Sequence, residues 1–197
     1  MADSLFDKYE KEAFRSGIAP RTAESRKWFM DKLKNIKDFN RRSILKDPNL
    51  KKMNRPRIGS MYMFFYDPKL RKTLPYYDNF PLVVMVAPAD GGFYGINLHY
   101  VPPVLRAKLL DSLLMAFNNK RYDESTKMKL SYGLLSSAAK FKYFKPCYKR
   151  YLFSHIEASV VRVEPPEWEL ATFLPVAMFK KAKQSTVWRD SRKTIRG

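Results

Sequence analysis

The stretch from Phe80 to Val101 constrains the fold more than any other part of the chain. Phe80 to Ala87 is a Val-rich apolar run, and Ala89-Asp90-Gly91-Gly92 supplies residues that tolerate positive φ. Gly92 to Val101 then alternates Tyr94, Ile96, Leu98 and Tyr100 against Gly95, Asn97 and His99. Two apolar runs around a glycine turn are the signature of a β-hairpin. Met61 to Tyr66, an aromatic and Met run, is a third strand candidate, and Ala158 to Val163 is a fourth. The fold class that follows is α+β, with a small curved antiparallel sheet of about four strands (residues 59 to 101 plus 158 to 163) packed by helices. An SH3-like barrel is one arrangement that suits strands this short.

Helical signals surround this sheet. Ser4 to Ser16 reads as an amphipathic helix with Leu5, Phe6, Tyr9 and Phe14 on its apolar side, stopped by Gly17. Pro20 and Thr22 open a second, in which Trp28, Phe29, Leu33 and Ile36 recur at helical spacing. Pro102-Pro103 starts a third, carrying Leu105, Leu109, Leu110, Leu113, Leu114 and Phe117 on one side. Residues 38 to 57 read as an irregular basic connector, and residues 127 to 155 as mostly helical and basic. Pro165-Pro166-Glu167 opens a further helix or turn, and the chain beyond Lys180 reads as a polar, basic tail. The organisation expected is a basic helical N-terminal segment and connector (1–57), an α+β core (58–180) and a basic C-terminal tail (181–197).

Charge then narrows the partner. The 197 residues include 38 Lys+Arg and 19 Asp+Glu, a formal net charge of +19. Residues 58 to 100 hold three basic and three acidic residues, whereas residues 1 to 57 hold 16 and 8 and residues 126 to 157 hold 7 and 1. A neutral core flanked by basic segments points to an acidic polymer, since a merely solvated surface mixes both signs. The longest uncharged stretch, Gly91 to Leu105, contains Asn97, His99, Pro102 and Pro103, so no apolar span of about 20 residues exists and no membrane partner is expected. The acidic start, Met1 to Asp7, shows no signal-peptide pattern, which fits synthesis in the cytosol. One cysteine, Cys147, and two histidines, His99 and His155, leave little capacity for structural zinc, and neither a metal nor a cofactor is expected.

The candidate nucleic-acid-binding residues fall in three groups: Arg41, Arg42, Lys46, Lys51, Lys52, Arg55 and Arg57 in the connector; Lys140, Lys142, Lys145, Lys149 and Arg150; and Arg189, Arg192, Lys193 and Arg196 in the tail. Each is expected to contact phosphate, positioning the protein on double-stranded DNA without reading bases. Phe141 to Tyr151 interleaves cations with aromatic rings, a combination that joins phosphate contact to stacking. On a helix, however, Phe144, Cys147, Tyr148 and Tyr151 share a face opposite Lys145 and Lys149, which makes the rings core and leaves only the lysines for a partner.

An enzyme reading rests on Asp67-Pro68-Lys69, which superficially matches the Asp-x-Lys end of a metal-dependent nuclease site. Pro68 interrupts the strand such a motif needs, and Asp78 and Asp90 fall in turns, where Asp bonds its own backbone. His99 has no sequence partner for a nucleophile motif, Cys147 on an aromatic face reads as packing, and seven glycines supply no phosphate loop. No catalytic residue is assigned.

At Tyr66-Asp67-Pro68-Lys69, at Thr73-Leu74-Pro75-Tyr76-Tyr77-Asp78-Asn79-Phe80-Pro81-Leu82-Val83 and at Gly92-Phe93-Tyr94-Gly95-Ile96-Asn97-Leu98-His99-Tyr100-Val101-Pro102-Pro103, the chain resembles the phage DNA end protector proteins. These are small basic proteins of contractile-tailed bacteriophages. Lys142-Tyr143-Phe144-Lys145-Pro146-Cys147 and Trp188-Arg189-Asp190-Ser191-Arg192 extend the resemblance, which spans about residues 60 to 195. It implies a non-enzymatic virion protein that occupies the end of packaged linear duplex DNA and shields it from host exonuclease. The N-terminal basic part lies outside the resemblance. Two other readings stay open: a structural component of the phage neck, tail or baseplate that meets acidic neighbours among the other phage structural proteins, and a nuclease acting at ends.

Overall fold

The computed structural model describes residues 4–34, 36, 40–54, 56–117, 126, 133, 144–157 and 159–196, with the backbone alone at 112–117. Side-chain oxygens at the two expected helix starts fix the N-terminal part. Helix α1 (Leu5–Arg15) is capped by Ser4, whose hydroxyl accepts from the Asp7 amide while the Asp7 carboxylate accepts from the Ser4 amide. Helix α2 (Ala23–Leu33) is capped by Thr22, which exchanges the same pair of bonds with Ser25. Such reciprocal caps satisfy donors that a helix start leaves unpaired. Gly17, at φ 71°, stops α1. Phe6 and Ala13 are buried, whereas Phe14, expected on the apolar side, is 83% exposed. The connector is not irregular throughout. It forms α3 (Arg41–Lys46), capped by the Asn40 side chain, and the short strand β1 (Lys52–Met53).

Strands β2 (Met61–Met63), β4 (Leu82–Ala89), β5 (Gly92–Asn97) and β7 (Val160–Val163) are the four the sequence predicts. With β1 and β6 (Tyr148–Leu152) they make one antiparallel sheet of six strands in the order β1-β7-β2-β4-β5-β6. A separate pair joins β3 (Tyr77–Asp78) to β8 (Phe179–Lys180). The sheet is curved and open, with β1 and β6 at its two edges and not paired to each other, so the barrel arrangement is not realised. Strand β6 also replaces the helix expected over this part of residues 127 to 155. Pro146 sits in the first turn of a 3₁₀ segment, Lys145–Cys147, and the chain emerges from it as strand.

Both faces of the sheet are buried, which is why Met61-Tyr62-Met63-Phe64 is an unbroken apolar run. Met61, Met63, Leu82, Val84, Ile96, Val161 and Val163 face the helices, while Tyr62, Phe64, Val83, Met85, Phe93, Tyr151 and Val160 form a second, aromatic core on the other side. Curvature is written into β5. A Cβ at Gly92 would stand 1.9 Å from the Tyr151 carbonyl oxygen, and one at Gly95 2.2 Å from Val83 Cγ1. A register shift between Met85 and Ala87 adds a bulge on β4.

The helical layer is centred on α5 (Trp168–Phe173), all six of whose residues are buried and which packs on α1, α2 and α4 (Pro103–Phe117). Leu109 and Leu110 of α4 join this core; the side chains of Leu113, Leu114 and Phe117, assigned to the same face from sequence, lie outside the described residues. Beyond Lys180, where a polar tail is expected, Gln184–Arg196 is an amphipathic helix, α6. Val187 and Ser191 are buried, and Trp188 Nε1 donates to the His99 carbonyl at 2.9 Å.

Candidate nucleic-acid interface

The fold sorts the predicted cations into two groups near opposite edges of the sheet. Arg42, Lys46, Lys51 and Lys52 are exposed on α3 and at the β1 edge, and Arg57 is exposed in the link from β1 to β2. Lys145 and Arg150 are exposed at the β6 edge, and α6 packs against the 3₁₀ turn Lys145–Cys147, so Arg189, Arg192, Lys193 and Arg196 belong to the same side. Five inter-strand spacings of about 4.8 Å put the two edges roughly 24 Å apart along the sheet. Arg55, Lys140 and Lys142 lie outside the described residues.

Hydrogen bonds separate the free cations from the structural ones. Arg41 is structural: Nε and Nη2 donate to the Val176 and Ala177 carbonyls at 2.7 and 3.2 Å, and burial holds its pKa below the usual arginine value. Lys51 faces Glu164 at 3.8 Å and Arg189 faces Asp190 at 3.8 Å. Among the described residues, no carboxylate lies within ion-pair distance of Arg42, Lys46, Lys52, Arg57, Lys145, Arg150, Arg192 or Lys193. Arg150 is steadied by its bond to the Asp90 carbonyl at 2.8 Å, and Arg192 by its bond to the Trp188 carbonyl at 3.3 Å.

Beside β6 lies a cleft of about 510 Å³, walled on one side by the segment from Tyr66 to Asp78 and on the other by β6. Tyr66, Tyr76 and Tyr100 supply its rings, and Lys69, Lys149 and Arg150 its cations. Lys149, on the same face of β6 as Tyr151, is half-buried with its ammonium 4.2 Å from the centroid of the Tyr100 ring. Burial pushes its pKa down. Tyr148, by contrast, stacks on Tyr94 at 5.3 Å outside this cleft. The alternation of a strand, in place of the helical face, therefore sorts the rings and cations of residues 148 to 151. Lys69, Tyr66, Tyr76 and Tyr100 are absent from the sequence-derived candidates; the signal that finds the first three is the density of tyrosine around Asp67-Pro68-Lys69.

The wall of the cleft is anchored by a buried polar network. Asp78 Oδ1 accepts from the Phe80 and Met178 amides, both at 3.1 Å; Oδ2 accepts from Asn97 Nδ2 at 3.1 Å and meets His99 Nδ1 at 2.6 Å. Asn97 Nδ2 also donates to the Tyr151 hydroxyl at 3.2 Å. Burial alone raises the Asp78 carboxyl, but the His99 ring and the converging donors outweigh it and hold its pKa below the ordinary value. Burial lowers that of His99. The pair is an aspartate with a neutral histidine that donates from Nδ1. Arg106, 2% exposed, gives its guanidinium to the carbonyls of Val101 and Thr172, both at 2.8 Å.

The residues weighed for chemistry are otherwise occupied. Asp67 accepts from Arg71 Nη1 at 2.6 Å, and its amide donates to the His155 carbonyl. Cys147 is fully buried, and burial pushes its thiol up to about 12, so it is a packing residue. Among the described residues, no cluster of three His, Cys, Asp or Glu side chains forms a metal site, and no helix is long and apolar enough to cross a membrane.

Comparison with known families matches residues 2–191 to the model described as phage T4 terminal DNA protecting protein. No curated protein and no solved structure matches the chain.

Proposed function

We propose, because the chain belongs to the phage T4 terminal DNA protecting protein family, that it is a virion protein binding double-stranded DNA at the end of the packaged linear genome. Bound there, it keeps exonuclease from the terminus without catalysing a reaction. The family match over nearly the whole chain is the observation that carries this reading. The eight exposed cations that have no carboxylate in reach among the described residues supply the means, because each can take a phosphate without first breaking one of the described ion pairs. Arg42, Lys46, Lys52 and Arg57 act as one contact group and Lys145, Arg150, Arg192 and Lys193 as the other. Arg41 stays structural, and Lys51, Arg189 and Arg196 lie beside these groups.

The test is binding to a linear duplex and to a covalently closed circle of the same sequence across a salt series, with exonuclease digestion of the bound linear form. Preference for the linear form with protection is expected. Each phosphate contact adds about −0.9 to the slope of log affinity against log salt, so one group engaged gives about −3.6 and both give about −7. Equal binding to both forms without protection would overturn end binding. Weak binding at all salts, with stoichiometric capture by an acidic virion protein, would replace it with a structural role in the particle.

A further inference from the structure

We propose that the cleft beside β6 receives the terminal nucleotide of a DNA strand, unstacked from the duplex, with its base on the tyrosine wall and its phosphate at Lys149 and Arg150. This rests on the end-binding reading and names the surface that meets the end. At about 510 Å³ the cleft lies within the range of roughly 300–1,000 Å³ usual for small-ligand sites. Its wall offers Tyr76, a partly exposed ring that stands 6.1 Å from the Tyr100 ring with the planes tilted by 40°; Tyr100 itself is 5% exposed and carries the Lys149 ammonium over its face. Every base has a π-face, so such a wall accepts a base of any identity. That suits a protein whose other contacts read phosphate and not sequence.

Lys149 argues most directly for an anion. Its ammonium lies inside the cleft over Tyr100, and among the described residues no carboxylate stands within ion-pair distance of it. A cation partly withdrawn from water gains most when a phosphate completes it. The carboxylate that lines the cleft, Asp78, is 3% exposed and its two oxygens are committed to four donors, so it does not take that place. The nearby Asp190 is met by Arg189.

The terminal nucleotide is favoured over an internal one by the cost of extraction. An internal nucleotide is stacked on both sides and paired, whereas a terminal one has a single stacked neighbour, and the cost of flipping is least where stacking and pairing are already weakest. A cleft that stabilises an unstacked nucleotide therefore prefers ends without recognising any sequence.

The experiment uses the full chain and a hairpin duplex with one open blunt end, compared with a dumbbell closed at both ends. The fluorescent base 2-aminopurine is placed at the 5′ terminus, at the 3′ terminus or in the interior. Binding is expected to change emission at a terminal position and leave the interior one unchanged. Lys149→Gln and Tyr76→Leu are each expected to weaken binding to the open hairpin about tenfold, towards the affinity for the dumbbell, as loss of a stacking or phosphate partner predicts. Lys27→Gln, on the exposed side of α2, removes one charge and keeps the preference for the open end. If Tyr76→Leu melts early by circular dichroism, Lys149→Gln at the sheet edge carries the test. An open-end preference with no terminal change in emission, or one retained in folded Lys149→Gln, overturns the cleft alone. Equal affinity of the unaltered protein for hairpin and dumbbell overturns the end-binding reading itself.

Discussion

Replacing Asp78 by Asn isolates the polar network that anchors the cleft wall. The substitution keeps Oδ1, with its bonds from the Phe80 and Met178 amides, and turns Oδ2 into an NH₂ facing Asn97 Nδ2 and His99 Nδ1. Two buried donors then lose their acceptor. A hydrogen bond to a charged group contributes about 1.5–3 kcal/mol and an orphaned buried donor costs about 1–3 kcal/mol. His99 can turn its Nδ1 lone pair to the new amide only by moving its proton to Nε2, which is buried without a partner among the described residues. A loss of about 3–5 kcal/mol follows, against about 5–15 kcal/mol for a whole domain. At about 2–4 °C per kcal/mol for a chain of this size, Tm falls by about 6–20 °C.

The pH dependence supplies an independent check. The folded pKa of His99 lies below its ordinary 6.5, so the unfolded chain takes up the proton first: stability is full above pH 6.5 and declines as pH falls below it. Asp78, also depressed, from 3.8, adds a second loss further into acid, which Asp78→Asn removes. Thermal unfolding followed by tryptophan fluorescence at several pH values reads both effects. A variant within about 2 °C of the unaltered protein at neutral pH would refute the argument that this network holds the wall.

Two further perturbations act elsewhere in the fold. Gly92→Ala places a Cβ 1.9 Å from the Tyr151 carbonyl, so β6 must move; a loss of about 1–3 kcal/mol is expected, with faster amide exchange along β6, and unchanged exchange there would contradict it. Burial, with Glu10, Glu164 and Asp7 adding repulsion, pushes the Glu167 carboxyl up to about 7 from 4.5. Its contribution to stability is therefore full below pH 4.5 and lost as pH rises through about 7. Glu167→Gln, which keeps the oxygen that accepts from the Glu164 amide, is expected to raise Tm by about 1–2 °C above pH 7 and not below 4.5; a gain independent of pH would refute the burial argument.

Strands and helices with a strong local pattern were legible from residues alone. The hairpin needed only its glycine turn, and α1 and α2 only their caps. Strand β6 was not, because Phe144, Cys147, Tyr148 and Tyr151 also fit helical spacing; the placement of Tyr148 and Tyr151 is settled by pairing with β5, a contact between residues such as Tyr94 and Arg150 that no local window contains. Helix α6 was hidden by composition: thirteen residues dominated by polar and charged side chains resemble a tail until Trp188 finds the His99 carbonyl. Charge marks candidates for phosphate contact but not which of them are already used within the fold. Arg41 and Arg42 are adjacent and chemically alike, yet one is bound to the carbonyls of Val176 and Ala177 and the other is exposed. The cleft was hidden for the same reason, since Lys69 and Tyr76, Tyr100, and Lys149 come from three separate segments of the sequence.

The separation of the two cation groups bears on how a basic protein tells an end from the middle of a duplex. Phosphate contacts alone make no such distinction, because every stretch of backbone offers the same charges. A preference for ends must come from a surface that gains only when the duplex stops. On the proposed reading the β6 edge has both parts: exposed cations that hold the backbone and, next to them, a cleft that rewards an unstacked nucleotide. Among the described residues, the cavity beside α3 is lined by Arg42 and Lys46 and by no aromatic ring. The salt slope therefore carries structural information. A value of about −7 places both edges on DNA, whereas about −3.6 leaves one group unspent. In that second case the proposed cleft assigns the engaged group to the β6 edge and leaves the α3 cations without a phosphate.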